Sequence, residues 1–212
     1  MKPKLMIFCK SPIPGTVKTR LIPSVGEDAA CKLHIELATR QIKDCLNPVI
    51  LASADVELWC TPDTNAEFFQ QFDLPLKLQK GDDLGDRMSH AFESLNVPGI
   101  LIGIDCPNLS AAYILNAIEK LGTHDAIIGP AEDGGYGLIG LGNMNAVSNK
   151  KVFENIPWST DSVCADTCTV FNQVYKNWSL LPLLWDVDRE EDIIRYEHEM
   201  LDQLKIDQAL SA

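Results

Sequence analysis

Three cations, Lys10, Lys18 and Arg20, fall within residues 10–20, directly behind the first apolar run at residues 5–9. Pro12 and Pro14 stiffen that stretch, and Gly15 allows a backbone to approach a ligand closely. The segment 10–21 is therefore suited to meeting phosphate oxygens. It is not a Walker loop, because Lys18-Thr19 lacks the preceding glycine and the GxxxxGK[ST] spacing. Asp105 stands before Cys106-Pro107 at the end of another apolar run, residues 99–104. A carboxylate there can hold a divalent cation that bridges two phosphates; magnesium suits one or two carboxylates plus phosphate oxygens and water. Asp133 is carried on a glycine-rich turn, Asp133-Gly134-Gly135-Tyr136, and could take a proton from an acceptor hydroxyl. Asp186 follows the run 180–184 and has no capping duty, so it is the candidate second metal ligand. Asp188 with Glu191 reads instead as the start of a helix. Arg87 is either a further ligand contact or the partner of a neighbouring acid.

Plainer readings exist for each. Asp83 with Asp86 fits a helix cap, Asp before Pro is a common turn, and Asp133-Gly134 is a good tight-turn pair. Residues 135–140 spell GxGxxG, but they open a strand and lie far from the first strand, which excludes a dinucleotide fingerprint. His34, His90, His124 and His198 are scattered and read as structural or surface residues. Ser and Cys nucleophiles lack a matched histidine or a nucleophile elbow.

The elements that must position these residues follow from hydrophobic period. Strands are expected at 5–9, 49–53, 56–60, 76–79, 99–104, 126–129, 136–141 and 180–184. Helices are expected at 27–46, 63–72, 84–95, 110–122, 163–174 and 189–204. Their alternation implies an α/β fold: a mostly parallel sheet with helices on both faces, in a single domain over residues 1–212. In such sheets ligands sit beyond the carboxyl ends of the strands. The loops after Cys9, Gln79, Ile104 and Gly129, and the stretch after Leu184, are thus where chemistry is expected, and they are the loops of unusual composition.

A formal net charge of −12 argues against nucleic acid or an anionic membrane as partner. The first 26 residues run against that balance, with five cations and no acid, which suggests a local anion site. Cysteines number seven, without a CxxC pair. Cys164 and Cys168 have no nearby histidine to complete a zinc set, and Cys31, Ile35, Ala38, Ile42 and Cys45 fall on one helical stripe. A reduced, cytoplasmic protein is expected, with no leader segment and no membrane span, since no apolar run approaches ~20 residues. The oligomeric state is not legible.

The segment from Phe8 through Lys10-Ser11-Pro12 to Leu21, then Gly103-Ile104-Asp105-Cys106-Pro107, Asp133-Gly134-Gly135-Tyr136 and Asp186-Val187-Asp188, occur in that order. Together they resemble the bacterial "transferase 1" glycosyltransferase-like family, DUF2064. That family is similar to the nucleotide-diphospho-sugar transferase superfamily, which includes nucleotidyltransferases of molybdenum-cofactor synthesis. The resemblance spans roughly residues 4–195. It implies a GT-A-like (Rossmann-type) fold, a nucleotide-activated donor, and Mg²⁺ or Mn²⁺ as cofactor. The chain departs from the family at Cys106, a change conservative in size from the usual small residue, and at Arg189-Glu190, where Thr-Pro is common.

On this resemblance the chain is expected to be a metal-dependent glycosyltransferase acting on a nucleotide sugar and a small-molecule acceptor. Lys10, Gly15, Lys18, Arg20 and Arg87 would form the phosphate site. Asp105 and Asp186 would hold the metal, and Asp133 would act as base, with inversion if attack is in line. One alternative is nucleotidyl transfer, with pyrophosphate released from an NTP; the cationic first loop suits that leaving group at least as well. Another is a non-catalytic nucleotide-binding protein on the same scaffold.

Overall fold

The structure, a computed structural model, describes residues 2–142 and 150–210. The strands are β1 (Lys4–Lys10), β2 (Asp55–Thr61), β3 (Leu76–Leu78), β4 (Gly99–Ile102), β5 (Ala126–Pro130), β6 (Tyr136–Leu141) and β7 (Trp178–Leu180). They form one seven-stranded sheet in the order β3-β2-β1-β4-β6-β5-β7. All neighbouring pairs are parallel except those of β6, which runs antiparallel to both β4 and β5.

β1 shows why the sheet is covered on both sides. Its five central residues are all buried, and they alternate. Leu5, Ile7 and Cys9 enter one core, and Met6 and Phe8 enter the other. A continuous apolar run is what a strand buried on both faces requires. Helices packed on the first core include α2 (Glu27–Cys45), α3 (Pro48–Ser53), α6 (Ala111–Leu121) and α8 (Glu190–Leu210). They contribute Leu37, Ile50, Ile114 and Tyr196 among others. The second core takes α5 (Leu84–Glu93) and α7 (Val163–Val174), through Met88, Phe92 and Phe171. Short helices α1 (Ile22–Val25) and α4 (Glu67–Gln70) complete the named helices. The expected α/β architecture is thus observed. No helix among the described residues is long and apolar enough to cross a membrane.

Local chemistry sets the helix starts. Asp83 caps α5 by accepting from the Asp86 N–H at 2.8 Å, and Ser110 caps α6 by accepting from the Tyr113 N–H at 3.3 Å. Three expectations are corrected. Residues 49–53 form helix α3 and not a strand: the Asn47 side chain accepts from the Val49 N–H at 3.0 Å, and Pro48 is pre-set for the first helical turn. Those two signals outweigh the strand preference of Val49-Ile50. The helix expected at 63–72 is the single turn α4. The strand expected at 180–184 ends at Leu180, because Pro182 cannot donate to a ladder; pairing resumes only as a bridge between Leu184 and Ala131.

Candidate functional site

Four segments meet at the end of the sheet where the parallel strands exit. They are the loop after β1, the turn after β4, the turn between β5 and β6, and the stretch 185–189 after β7. Backbone hydrogen bonds tie them together. Leu184 N–H donates to the Pro130 carbonyl at 2.7 Å, Glu132 N–H to that of Leu184 at 3.0 Å, and Val187 N–H to that of Asp105 at 3.0 Å. The Asn108 side chain clamps the same stretch, donating to the Leu183 carbonyl and accepting from the Trp185 N–H, both at 3.2 Å.

Lys18 links the first segment to the others. Its ammonium forms an ion pair with Asp105 and donates to the Val187 carbonyl at 2.6 Å. The Lys18 side chain is only 5% exposed, against 47% for Asp105, so this cation is fixed and the carboxylate remains open to a ligand. Lys18 has a left-handed backbone, φ +47°, which is unfavourable for a side chain of its size. The buried ammonium and its two partners hold it there.

A cavity of about 570 Å³ opens beside this junction. Asp105, Asp133, Asp186 and Asp188 line it, with Glu132, Asp161 and Asp192; the lining cations are Arg20 and Arg189. Arg20 is ion-paired to Asp188, which raises the guanidinium pKa further. Asp186 is pushed up to about 6, first by burial and then by the neighbouring charges of Asp133, Asp188 and Asp105. Crowded carboxylates of this kind favour protons or cations. The turn bearing Asp133 is fixed by Gly134 at φ +87°. A Cβ there would collide with the Asp161 carbonyl, so glycine is required. Asp133 Oδ1 accepts from the Gly135 N–H at 2.8 Å. Gly137 keeps the start of β6 close to the Asp105 turn, since a Cβ would lie 2.7 Å from Cys106 Sγ.

A second cavity, about 290 Å³, adjoins the first and shares Leu84, Gly103, Asp105, Tyr136 and Gly137 with it. Its further lining is largely apolar, including Phe8, Cys9, Met88 and Leu101, with Lys10, His34, Thr61 and Gln79.

The structure therefore brings together Lys18, Arg20, Asp105, Asp133 and Asp186. Lys18 lines neither cavity and reaches the site through Asp105. Lys10 lines the smaller cavity, its ammonium donating to the Thr16 carbonyl at 2.7 Å. Gly15 (φ +80°) and Arg87 line neither cavity. Where a Gly15 Cβ would lie, the Glu27 carboxylate is 3.3 Å away. Arg87 Nε donates to the Gly81 carbonyl at 3.1 Å. The reading of Asp188 as a helix cap is corrected: Asp192 accepts from the Asp188 and Arg189 N–H groups at 3.0 and 2.7 Å, and the Asp188 carboxylate is free to hold Arg20. His34, read from the sequence as structural or surface, is buried and bonds through Nε2 to the Lys10 carbonyl at 2.8 Å while lining the smaller cavity. Its signal was a polar residue on the buried face of α2, beside Leu37, Ala38 and Gln41. Trp158 and Trp185 line the larger cavity with no motif to announce them.

Among the described residues, no three His, Cys, Asp or Glu side chains gather tightly enough to hold a metal ion unaided. Asp105 and Asp186 nonetheless fit a hard divalent cation, which needs only one or two carboxylates when phosphate oxygens and water supply the rest.

The family model "Uncharacterized protein conserved in bacteria (DUF2064)" matches residues 48–160. The chain belongs to the DUF2064 family. No curated protein matches it. Among solved structures, a protein from Desulfovibrio desulfuricans named for the nucleotide-diphospho-sugar transferases is 30% identical. The match covers 89% of this chain and 84% of that one, with a TM-score of 0.78. The same fold occurs in 4-diphosphocytidyl-2C-methyl-D-erythritol synthase from Anaerococcus prevotii, at 11% identity, 94% and 96% coverage and a TM-score of 0.61. It occurs again in a nucleotidyl transferase from Methanothermobacter, at 12% identity, 95% and 99% coverage and a TM-score of 0.60. The chain thus shares its fold with these proteins.

Proposed function

We propose that this chain is a transferase acting on a nucleotide-activated donor, and that it moves a glycosyl unit from a nucleotide sugar to a small-molecule acceptor. One observation carries the reading: a buried cation from the first loop, Lys18, sits on the exposed carboxylate of Asp105 at the wall between an apolar and an acidic cavity. The nucleoside belongs in the smaller cavity, the diphosphate near Asp105 with Lys10 and Arg20 at hand, and the transferred group in the larger cavity. The name of the 30%-identical relative supports the donor class.

In this reading Asp133 takes the proton of the acceptor hydroxyl. The freed oxygen bonds to the anomeric carbon, and the bond from that carbon to the diphosphate breaks with its electron pair on the leaving phosphate oxygen. Lys18 orients Asp105, and Arg20 offers positive charge on the same side. When bound at Asp105 and Asp186, Mg²⁺ or Mn²⁺ would supply neutralisation of the leaving diphosphate. All seven cysteines are free thiols, which fits a reducing, cytoplasmic setting.

Nucleotidyl transfer is the second reading, favoured by the cations of the first loop and by the names of the two more distant fold relatives. Products separate the two. A thermal-shift panel of NTPs and nucleotide sugars, with and without Mg²⁺ or Mn²⁺, selects the donor, because a ligand that binds the native state raises its melting point. Turnover of the selected donor then gives free nucleoside diphosphate for glycosyl transfer. Pyrophosphate from an NTP would replace that reading with the second, and binding without turnover of any donor would leave only a binding protein.

A further inference from the structure

We infer that the larger cavity takes a hydroxyl-rich acceptor that is uncharged or amino-bearing, and that it excludes phosphorylated and carboxylated acceptors. This rests on the proposed donor reaction and names its acceptor class.

The cavity wall decides the matter by charge and by hydrogen-bond type. Three of its acids already have a cationic partner: Asp105 in Lys18, Asp188 in Arg20, and Glu132 in Arg195, which bonds it in bidentate fashion at 2.8 and 3.3 Å. Assigning Asp186, with Asp105, to a divalent cation removes one more acid. Asp133, Asp161 and Asp192 remain, and Arg189 is the cation left to face them among the described residues. Ionised carboxylates accept hydrogen bonds and cannot donate them. Asp192 Oδ2 is already held by the Asp188 and Arg189 N–H groups, and Asp133 Oδ1 by that of Gly135. It is their remaining acceptor capacity, with that of Asp161, that O–H and N–H groups of a ligand satisfy. A phosphate or carboxylate is itself an acceptor at neutral pH, so it finds no donor on these three residues and meets their repulsion.

The wall also has an apolar face. Trp158 is half-buried and lines the same cavity. Its indole lies against the backbone of Gly85, where any Cβ would run into the ring, so α5 holds it in place. An indole beside acceptor-only oxygens matches the surface of a sugar or polyol, which presents C–H patches between hydroxyls.

Saturation-transfer NMR with three probes tests this: methyl glucoside, glucosamine and glucose 6-phosphate. The first two are expected to bind at least about tenfold more tightly than the third, a difference of about 1.4 kcal/mol. Asp161→Lys should narrow that gap about tenfold. Should the variant misfold, a salt titration of the native protein provides the second readout. Exclusion of the phosphorylated probe must weaken as screening rises. Glucose 6-phosphate binding as well as methyl glucoside, no binding by the uncharged probe, or a gap indifferent to salt would each overturn the inference. A thermal shift with nucleotide sugars runs in parallel. Donor binding with a preference for glucose 6-phosphate defeats the acceptor class alone. Probe selectivity without donor binding defeats the transferase reading alone.

Discussion

The two cavities at the carboxyl ends of the strands share Asp105, Tyr136 and Gly137, yet they are built from different material. The smaller is walled by β1, β4 and α5, through Phe8, Leu101 and Met88. The larger is walled mainly by loops, and its charged residues come from segments 132–133, 161 and 186–192, with Arg20 from the loop after β1 and Asp105 from the turn after β4. Regular elements that serve two cores have little freedom to vary, whereas loops on a rigid scaffold carry the variable chemistry. On the proposed reading the first region binds the nucleotide and the second carries the acceptor chemistry, joined by Lys18 and Asp105.

The largest effect that could break this division is expected at Asp133. Asp133→Asn should lower kcat by about 10²–10⁴-fold while leaving the nucleotide-sugar thermal shift unchanged. A loss below about tenfold would separate the larger cavity from the chemistry. Next is Gly134→Ala, which meets the Asp161 carbonyl at a positive φ. Denaturant titration should show a loss of about 2–4 kcal/mol. A variant as stable as the native protein would mean that the turn is not rigid.

The smaller cavity is sharpened by pH. Burial lowers the His34 pKa, so the folded protein keeps the ring neutral where the unfolded chain binds a proton. Stability is therefore full above about pH 6.5, the unfolded value, and falls as pH drops through the folded one. Urea unfolding at about pH 7.5 and 5.5 should show this fall in the native protein and a shallower one in His34→Gln. Equal slopes would remove His34 from the account. The smallest effect is expected at Arg87, which bonds the Gly81 carbonyl and lines neither cavity. Arg87→Ala should change nucleotide-sugar affinity by less than about twofold.

Much of the fold was legible because its signals are local. The apolar run of β1, the cap at Asp83 and the stop near Gly122 each declare themselves within a few residues. The strand-end rule then pointed to Asp105, Asp133 and Asp186 from position alone. What escaped depends on contacts between distant segments. The pairing of Lys18 with Asp105 needs β1 and β4 to lie side by side in the sheet, and that of Arg20 with Asp188 needs the return of the chain after β7. Asp192 takes the place at the start of α8 that was expected of Asp188, because several acids there can accept from the first free N–H groups and Arg20 draws Asp188 away. Trp158 sits in a segment without period, and its place is set by an absent side chain at Gly85. The strand expected at 49–53 failed for the opposite reason: a cap at Asn47 overrode a pattern of apolar residues.

Calorimetric titration of a nucleotide sugar with Mg²⁺ into the native protein, Lys18→Met and Asp105→Asn puts the junction between the cavities to the test. Affinity at least about tenfold weaker in both variants, with the metal requirement gone in Asp105→Asn, is the predicted result. Native affinity in both, with metal dependence intact, would show that the nucleotide binds elsewhere.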